Sequence, residues 1–288
     1  MIQDFTYLKP GNVKEALAML ADHDDCKIVC GGQSLLIPMR QGLLVVEYLV
    51  DIKGLNELSY IKYDAKEGLK LGATTTHRAI EQSDVIKKHY PVLAKMEERL
   101  ASTQTRNWGT IGGNLAHADS AGDPAPVLMA LGAKVKVASA KGERVIPLDE
   151  FYTDLFESCM EHNEMILEIQ VPPPAAKMGA AYQKFNLLQN DMGVVGVAVS
   201  MIADAKGACK DAKVRLGNAG VTPILAKSAE AVLIGKKITD KLFAEAGEAA
   251  AADADPVSDI HASDDFRRHL IKVLTKRMAK QAWEQASK

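Results

Sequence analysis

Two segments of this 288-residue chain carry paired glycines followed directly by a hydrogen-bonding side chain. They are residues 31–34 (Gly-Gly-Gln-Ser) and residues 110–114 (Thr-Ile-Gly-Gly-Asn). Adjacent glycines lack Cβ atoms, so the backbone can approach a ligand closely and adopt positive φ without strain. The N–H groups of such a turn form a concave donor site for an anion, most often a phosphate. Two such turns brought together by folding would suit a pyrophosphate.

The elements around the first segment support this chemistry. Residues 27–30 are typical of a short strand, and residues 34–40 predict a short helix ended by Gly42. A strand, a glycine turn and a helix start form an arrangement that attracts phosphate. Neither segment matches G-x-G-x-x-G or G-x-x-x-x-G-K-[ST], which argues against a Rossmann domain and a P-loop. A single glycine pair is also compatible with an ordinary tight turn.

The two segments together resemble the FAD-binding medium subunit of the molybdenum hydroxylases, the xanthine dehydrogenase/carbon monoxide dehydrogenase family. The likeness rests on residues 31–35 and 106–114, and it extends through residues 5–10, 123–133, 182–185 and a basic C-terminal helix. It implies an α+β, two-lobed FAD-binding fold. In that fold a small N-terminal βαβ unit and a mixed α/β subdomain precede a C-terminal domain of antiparallel sheet and helices.

The resemblance also implies which residues contact FAD. Gln33, Ser34, Thr110 and Asn114 have side chains able to bond phosphate oxygens or ribose hydroxyls. The complete implied cofactor-binding set is Ile28, Val29, Cys30, Gly31, Gly32, Gln33, Ser34, Leu35, Leu100, Thr110, Ile111, Gly112, Gly113, Asn114, Asp123, Ile166 and Lys184. No catalytic residue and no metal ligand is expected on this chain.

Two residues of that set have alternative interpretations. Asp123 precedes a predicted helix and could be its N-cap, because Asp is a preferred cap; the resemblance makes it a carboxylate that bonds flavin hydroxyls. Lys184 could be an exposed strand lysine, because lysine is rarely buried unpaired; the resemblance brings it close to the flavin. Both interpretations stay open from the sequence.

Other residues that could do chemistry have simpler interpretations. His77 and His117 are expected to be hydrogen-bonding loop histidines, since a zinc site needs further ligands. Trp108 is expected to be a packing anchor. Four scattered cysteines form no C-x-x-C pair, which argues against an iron–sulfur or zinc framework and favours free thiols in a reducing cytoplasm. Any iron–sulfur clusters would then lie on another chain.

Composition excludes several classes of protein. Apolar residues make up 47%, charged residues 25%, and the net charge is −2, which gives no general attraction to nucleic acid or anionic membrane. The first residues lack the basic start and apolar run of a signal peptide, and no apolar stretch is long enough to span a bilayer. A cytoplasmic protein is expected.

The order of predicted elements divides the chain into three parts: residues 1–58 and 59–174 as two FAD-binding subdomains, and 175–288 as a C-terminal α+β domain. The boundary at 174 rests on the three prolines 172–174. Further predictions are a helix N-cap at Asn12, another at Thr76 and one long helix over 83–100. Strands are expected at 45–52, 59–63, 68–73, 134–137, 144–146, 165–171, 182–187, 194–203 and 212–216, and helices at 123–131, 226–234, 239–252 and 264–286.

The resemblance implies the electron-transfer subunit of a heterotrimer, itself doubled by two-fold symmetry. A large subunit would carry the molybdenum cofactor, and a small subunit would carry [2Fe–2S] clusters that pass electrons through FAD to an external acceptor. In the carbon monoxide dehydrogenase branch an aromatic residue lies against the flavin where this chain has Met192. Alternatives are a stand-alone FAD-dependent oxidoreductase and a non-catalytic nucleotide-binding assembly protein.

The basic residues of the last helix predict a solvated face or a docking surface: Arg267, Arg268, Lys272, Lys276, Arg277 and Lys280.

Overall fold

The N-terminal part is a parallel three-stranded sheet, in a computed structural model that describes residues 2–188 and 190–288. Its strands lie in the order β1-β3-β2, with helices in the connections, which confirms the predicted βαβ unit. At the predicted N-cap, the Asn12 carboxamide accepts from the Glu15 N–H at 2.9 Å, so helix α1 begins where expected. The elements are β1 (Thr6–Leu8), α1 (Val13–Asp22), β2 (Cys26–Val29), α2 (Leu36–Gln41) and β3 (Tyr48–Asp51).

A five-stranded antiparallel sheet forms the centre of the molecule, in the order β4-β5-β10-β6-β7. Its buried face and the helices packed on it share one large apolar core. A small hairpin, β8 and β9, lies outside this sheet. The strands are β4 (Ile61–Asp64), β5 (Gly68–Gly72), β6 (Lys134–Ser139), β7 (Gly142–Pro147), β8 (Tyr152–Asp154), β9 (Glu157–Ser158) and β10 (Met165–Val171).

Short helices connect β5 to β6 and cover the central sheet. The predicted helix over 83–100 is wrong, because Tyr90 has φ −135° and ψ 58° and interrupts it before Pro91. A proline disfavours helical backbone in the residue before it, and it has no N–H to donate to the preceding turn. The helices are α3 (His77–Gln82), α4 (Asp84–His89), α5 (Pro91–Glu98), α6 (Thr103–Trp108), α7 (Ile111–His117) and α8 (Pro124–Ala130).

The C-terminal part is an antiparallel sheet, in the order β11-β12-β13-β14, covered by helices around its own apolar core. The first strand begins earlier than predicted, at Met178. Within residues 2–188 and 190–288, no helix combines the length and the apolar character that crossing a membrane requires. The elements are β11 (Met178–Phe185), β12 (Val195–Ala203), β13 (Cys209–Gly217), β14 (Ile224–Leu225), α9 (Lys227–Leu233), α10 (Asp240–Asp253) and α11 (Asp264–Ala286).

Candidate cofactor site

The first glycine segment is a turn between β2 and α2, as predicted. Gly32 has φ +68°, a left-handed conformation that glycine adopts without the clash a Cβ would cause. The amide of Gln33 folds back and donates from Nε2 to the Gly31 carbonyl at 3.0 Å. Throughout the described chain, no acceptor lies within hydrogen-bond distance of the backbone N–H groups of Gly32, Gln33 or Ser34. The turn therefore presents backbone donors suited to an anion.

The second glycine segment is not a turn, which corrects the prediction. Thr110 is the N-cap of helix α7, and its hydroxyl accepts from the Gly113 N–H at 3.2 Å. Gly112 and Gly113 lie in the first turn of that helix. A Cβ on Gly112 would lie 2.7 Å from the Ala73 Cβ, and the Gly112 N–H donates to the Ala73 carbonyl at 2.9 Å. The local sequence forms a helix here because the cap and this close packing offset the low helix propensity of two glycines.

The two glycine segments contact each other directly. The Cys30 Sγ lies 2.9 Å from the Thr110 Oγ1, and a Cβ on Gly31 would lie 2.4 Å from the Trp108 carbonyl oxygen. A Cβ on Gly113 would lie 3.0 Å from the Cys30 Sγ. We call residues 30–34 and 108–114 the glycine joint. Packing within the chain already requires Gly31 and Gly112, whereas the unpaired donors around Gly32 remain available to a ligand.

A group of buried charges lies near this joint. The Asp123 carboxylate accepts from the Tyr182 hydroxyl at 2.6 Å and from the Lys184 ammonium at 2.6 Å. The same ammonium donates to the Asp191 carbonyl at 3.0 Å. Asp123 is only 7% exposed and Lys184 only 5%. Asp123 occupies the N-cap position of α8 as expected, but its side chain makes no cap hydrogen bond and pairs with Lys184 instead. The expectation of an exposed Lys184 is wrong.

Burial dominates the electrostatics of these groups. Loss of solvation raises the pKa of the Asp123 carboxyl, although the Lys184 ammonium acts in the opposite direction. Burial also raises the pKa of the Tyr182 hydroxyl well above its usual value, and the neighbouring carboxylate of Asp123 adds to the effect. Tyr182 is therefore a neutral hydrogen-bond donor at any physiological pH.

A second buried pair joins the same region. His77 was expected in a loop, but it is the first residue of α3, and its Nδ1 lies 3.0 Å from the Glu97 Oε2. His77 lies close enough to both carboxyl groups to act on the pKa of Glu97 and on that of Asp123, which it lowers against the larger effect of burial. We call His77, Glu97, Asp123, Tyr182 and Lys184 the buried charge cluster.

The remaining residues predicted to contact the cofactor fall into two groups. Val29, Leu100, Ile111 and Ile166 are buried, and Leu100 and Ile166 belong to the central apolar core. Ile28, Ser34, Leu35 and Asn114 are half-buried, and a Cβ on Gly122 would lie 3.3 Å from the Asn114 Oδ1. Asn114 therefore points toward the residue that precedes Asp123.

Three expectations about single side chains can be compared with the structure. Trp108 is 61% exposed, so it is not the packing anchor that was predicted. His117 ends helix α7 instead of lying in a loop; its ring centroid lies 5.2 Å from that of Phe156, and burial lowers its pKa. Met192 is 58% exposed, and its N–H donates to the Asp191 carboxylate at 2.9 Å.

The basic residues of helix α11 do not share one solvated face. Arg267 is buried and donates to the Val194 carbonyl and to the Asp259 carboxylate, the latter at 2.7 Å. Arg268 donates to two carbonyl oxygens at the end of α10. Both arginines thus hold the C-terminal part together. Lys272 and Lys280 pair with acidic residues of α10, while Lys276 and Arg277 are exposed.

Sequence reasoning missed Glu97 and the role of Tyr182. Glu97 lies four residues after Leu93 and three before Leu100, so it occupies the apolar face of α5. A carboxylate at an apolar helical position is a signal of a buried, paired charge. Tyr182 and Lys184 lie two residues apart along β11, which places both side chains on the same face of the sheet.

The fold and the site define a flavoprotein of the two-lobed FAD-binding class. Residues 3–174 match the model for the FAD binding domain in molybdopterin dehydrogenase. Residues 180–282 match that for the CO dehydrogenase flavoprotein C-terminal domain. The chain belongs to the family of FAD-binding medium subunits of molybdenum hydroxylases and is an oxidoreductase subunit that binds FAD.

The chain matches its relatives along nearly its whole length. The chain is 35% identical to the 6-hydroxypseudooxynicotine dehydrogenase complex subunit alpha of Paenarthrobacter nicotinovorans, over 98% of this chain and 95% of the relative. It is 30% identical to the carbon monoxide dehydrogenase medium chain of Hydrogenophaga pseudoflava, over 97% of each. A solved carbon monoxide dehydrogenase from the same organism, which lacks the Mo-pyranopterin moiety of the molybdenum cofactor, superposes with a TM-score of 0.95 over 99% of both chains, at 32% identity.

Proposed function

We propose that this chain is the electron-transfer subunit of a heterotrimeric molybdenum hydroxylase. In this proposal, electrons from [2Fe–2S] clusters on a small partner subunit pass through FAD on this chain to an external acceptor. A large partner carries the molybdenum cofactor and oxidises the substrate. The observation that carries the proposal is the end-to-end match to a medium chain, with a TM-score of 0.95 and neither chain extending far beyond the other.

The glycine joint is proposed to hold the pyrophosphate of FAD non-covalently. Backbone N–H groups of residues 32–34 have no acceptor in the described chain, so they can donate to phosphate oxygens without breaking an existing bond. Positive φ at Gly32 permits the turn that carries them. The other residues of the predicted set remain proposed contacts of the cofactor.

The buried charge cluster is proposed to receive the hydroxyl groups of FAD. The Asp123 carboxylate already accepts two hydrogen bonds, and a carboxylate has capacity for about four. Lys184 compensates its charge, so the pair can remain buried beside an uncharged part of the cofactor. When bound, FAD supplies a carrier that accepts electrons singly and delivers them singly or in pairs.

The partner subunits follow from the relatives, which are named as medium chains or as subunits of a complex. The four cysteines of this chain, Cys26, Cys30, Cys159 and Cys209, form no motif for an iron–sulfur cluster. Clusters that supply electrons to the flavin would therefore belong to another subunit. We propose a heterotrimer doubled by two-fold symmetry, the commonest symmetry among oligomers.

Two measurements on the native complex test the function. The tagged chain, isolated at low salt, should carry FAD and co-purify with one larger and one smaller subunit. In the complex stripped of flavin, the large subunit's substrate should still bleach the iron–sulfur absorbance, while transfer to the acceptor should stop until FAD is restored. Isolation as a lone flavoprotein that oxidises a small molecule would refute the proposal, and so would loss of cluster bleaching together with the flavin.

A further inference from the structure

The His77–Glu97 pair is almost completely buried, yet its side chains make hydrogen bonds only to each other in the described chain. Glu97 is 0% exposed and His77 is 3% exposed. Both carboxylate oxygens of Glu97 lie close to the His77 Nδ1, at 3.1 and 3.0 Å. Within residues 2–188 and 190–288 this carboxylate has no other hydrogen-bond partner. A buried carboxyl group with a single partner is costly to ionise, so it depends strongly on its hydrogen bond to that imidazole.

The opposite edge of the imidazole ring faces the glycine joint. The His77 Cδ2 lies 3.1 Å from the position that a Cβ on Gly109 would occupy, and the Gln33 Cγ lies 3.6 Å from the same position. The His77 N–H also donates to the Gly109 carbonyl at 3.0 Å, which fixes the residue against the joint. Nε2, bonded to Cδ2, has no hydrogen-bond partner in the described chain. The ring thus has one nitrogen held by Glu97 and the other directed toward the joint.

Glu97 determines what that second nitrogen can do. The Glu97 carboxyl group at Nδ1 fixes the orientation of the ring and leaves Nε2 as the nitrogen that faces the joint. When a protonated carboxyl group donates to Nδ1, the imidazole carries its own proton on Nε2 and can donate it there. A hydrogen bond from this nitrogen to an anion is stronger than one to a neutral acceptor.

We propose that His77 binds the pyrophosphate of FAD through Nε2 and that Glu97 is the residue that positions its ring. This inference rests on the proposed FAD-binding role of the glycine joint and adds a third group to it. If the pair served only to hold α3 against α5, its removal would lower stability without distinguishing one ligand from another.

The test uses the full chain stripped of flavin and titrated separately with FAD, ADP and riboflavin. ADP carries the pyrophosphate without the flavin, and riboflavin carries the flavin without phosphate. His77→Gln should weaken FAD and ADP binding by about tenfold or more, as expected for loss of a hydrogen bond to a charged group. Riboflavin affinity should stay within about twofold, because riboflavin has no phosphate for the imidazole to contact. Glu97→Gln should show the same ligand pattern with a smaller loss.

Two further variants separate a loss of ligand binding from a loss of folding. His77→Leu combined with Glu97→Leu removes both polar groups together, so neither is left buried and unpaired. It should fold and show the same selective loss. His89→Gln changes a histidine that stacks on Tyr63 outside the joint and should bind all three ligands as the unaltered chain does. Equal losses for riboflavin and ADP, or unchanged ADP affinity in folded variants, would overturn the role of His77. Failure of the unaltered chain to bind FAD would instead refute the proposed function.

Discussion

The glycine joint and the buried charge cluster build neighbouring parts of one candidate site by opposite means. The joint depends on glycines that have no Cβ atom: a Cβ on Gly31 would lie 2.4 Å from the Trp108 carbonyl oxygen. The cluster depends on groups that are present in matched pairs, such as Asp123 with Lys184 at 2.6 Å. The joint should therefore be sensitive to added volume and insensitive to pH. The cluster should tolerate isosteric changes and respond to any change in charge or protonation.

The largest effect is expected from breaking a charge pair in the cluster. Asp123→Ala leaves the Lys184 ammonium buried with one carbonyl and no counter-charge. Such a change costs about 3–5 kcal/mol of the free energy of unfolding, whereas loss of a helix cap costs about 1 kcal/mol. Urea denaturation of the flavin-free chain measures the difference. The double variant Asp123→Asn with Lys184→Met should recover most of the loss, and a cost near that of a cap would contradict the pairing.

Added volume in the joint should have the next largest effect. Gly31→Val places a side chain against backbone atoms of Trp108 and Gly109, which cannot move aside as a side chain could. Overpacking of this kind costs about 1–3 kcal/mol, and it should separate the two segments and yield chain purified without FAD. Flavin content and melting temperature report the two consequences. Gly54→Val makes a suitable control, since a Cβ there meets nothing within 4 Å. A yellow Gly31→Val protein of normal stability would show that the segments do not need this contact.

Only the cluster should respond to pH. Burial raises the pKa of the Glu97 carboxyl above its ordinary value of 4.5. The folded chain therefore keeps a proton that the unfolded chain has lost, and the stability from this group is complete below 4.5 and declines as the pH rises through the folded pKa. Unfolding from pH 5 to pH 8 should show a steeper decline for the unaltered chain than for Glu97→Gln, by at most about 1.4 kcal/mol per pH unit. Parallel curves would mean that Glu97 is ionised throughout.

The smallest effect separates ligand binding from backbone strain in the joint. Gly32 and Gly42 have nearly the same left-handed φ, +68° and +71°, but only Gly32 lies in the joint. Alanine at either position should cost about 1–2 kcal/mol of stability through strain. At Gly32 the Leu36 side chain must also shift slightly, since a Cβ there would lie 3.1 Å from its Cδ1. Only Gly32→Ala should also weaken FAD binding in a fluorescence titration. An equal loss of FAD affinity in Gly42→Ala would place the anion site elsewhere.

The joint was easier to foresee from the sequence than the cluster. Paired glycines and the strand before Gly31 are local signals, so the first turn and the N-terminal βαβ unit were predicted correctly. The second glycine pair was misassigned as a turn because its helix depends on Thr110 and on contact with Ala73, which lies far away in sequence.

Side chains buried by distant partners could not be assigned from local patterns. Lys184 was assigned to a solvent-exposed position on one interpretation because its counter-charge, Asp123, lies 61 residues away. Arg267 was likewise grouped with exposed basic residues of its helix, although it bonds the Val194 carbonyl 73 residues away. The interruption of the predicted helix before Pro91, by contrast, could have been foreseen from the sequence, since a proline there is a local signal.

The contact between Cys30 and Thr110 joins positions 80 residues apart, one in the turn after β2 and the other at the start of α7. If FAD binds at the glycine joint, as proposed, newly made chain can capture its cofactor only after the N-terminal part has docked against the segment that holds Thr110. Cofactor binding then favours docking of the N-terminal part, because a ligand that binds only the docked chain shifts the equilibrium toward the docked state by mass action. In cells short of flavin, the undocked N-terminal sheet would be the part of the chain first presented to proteases.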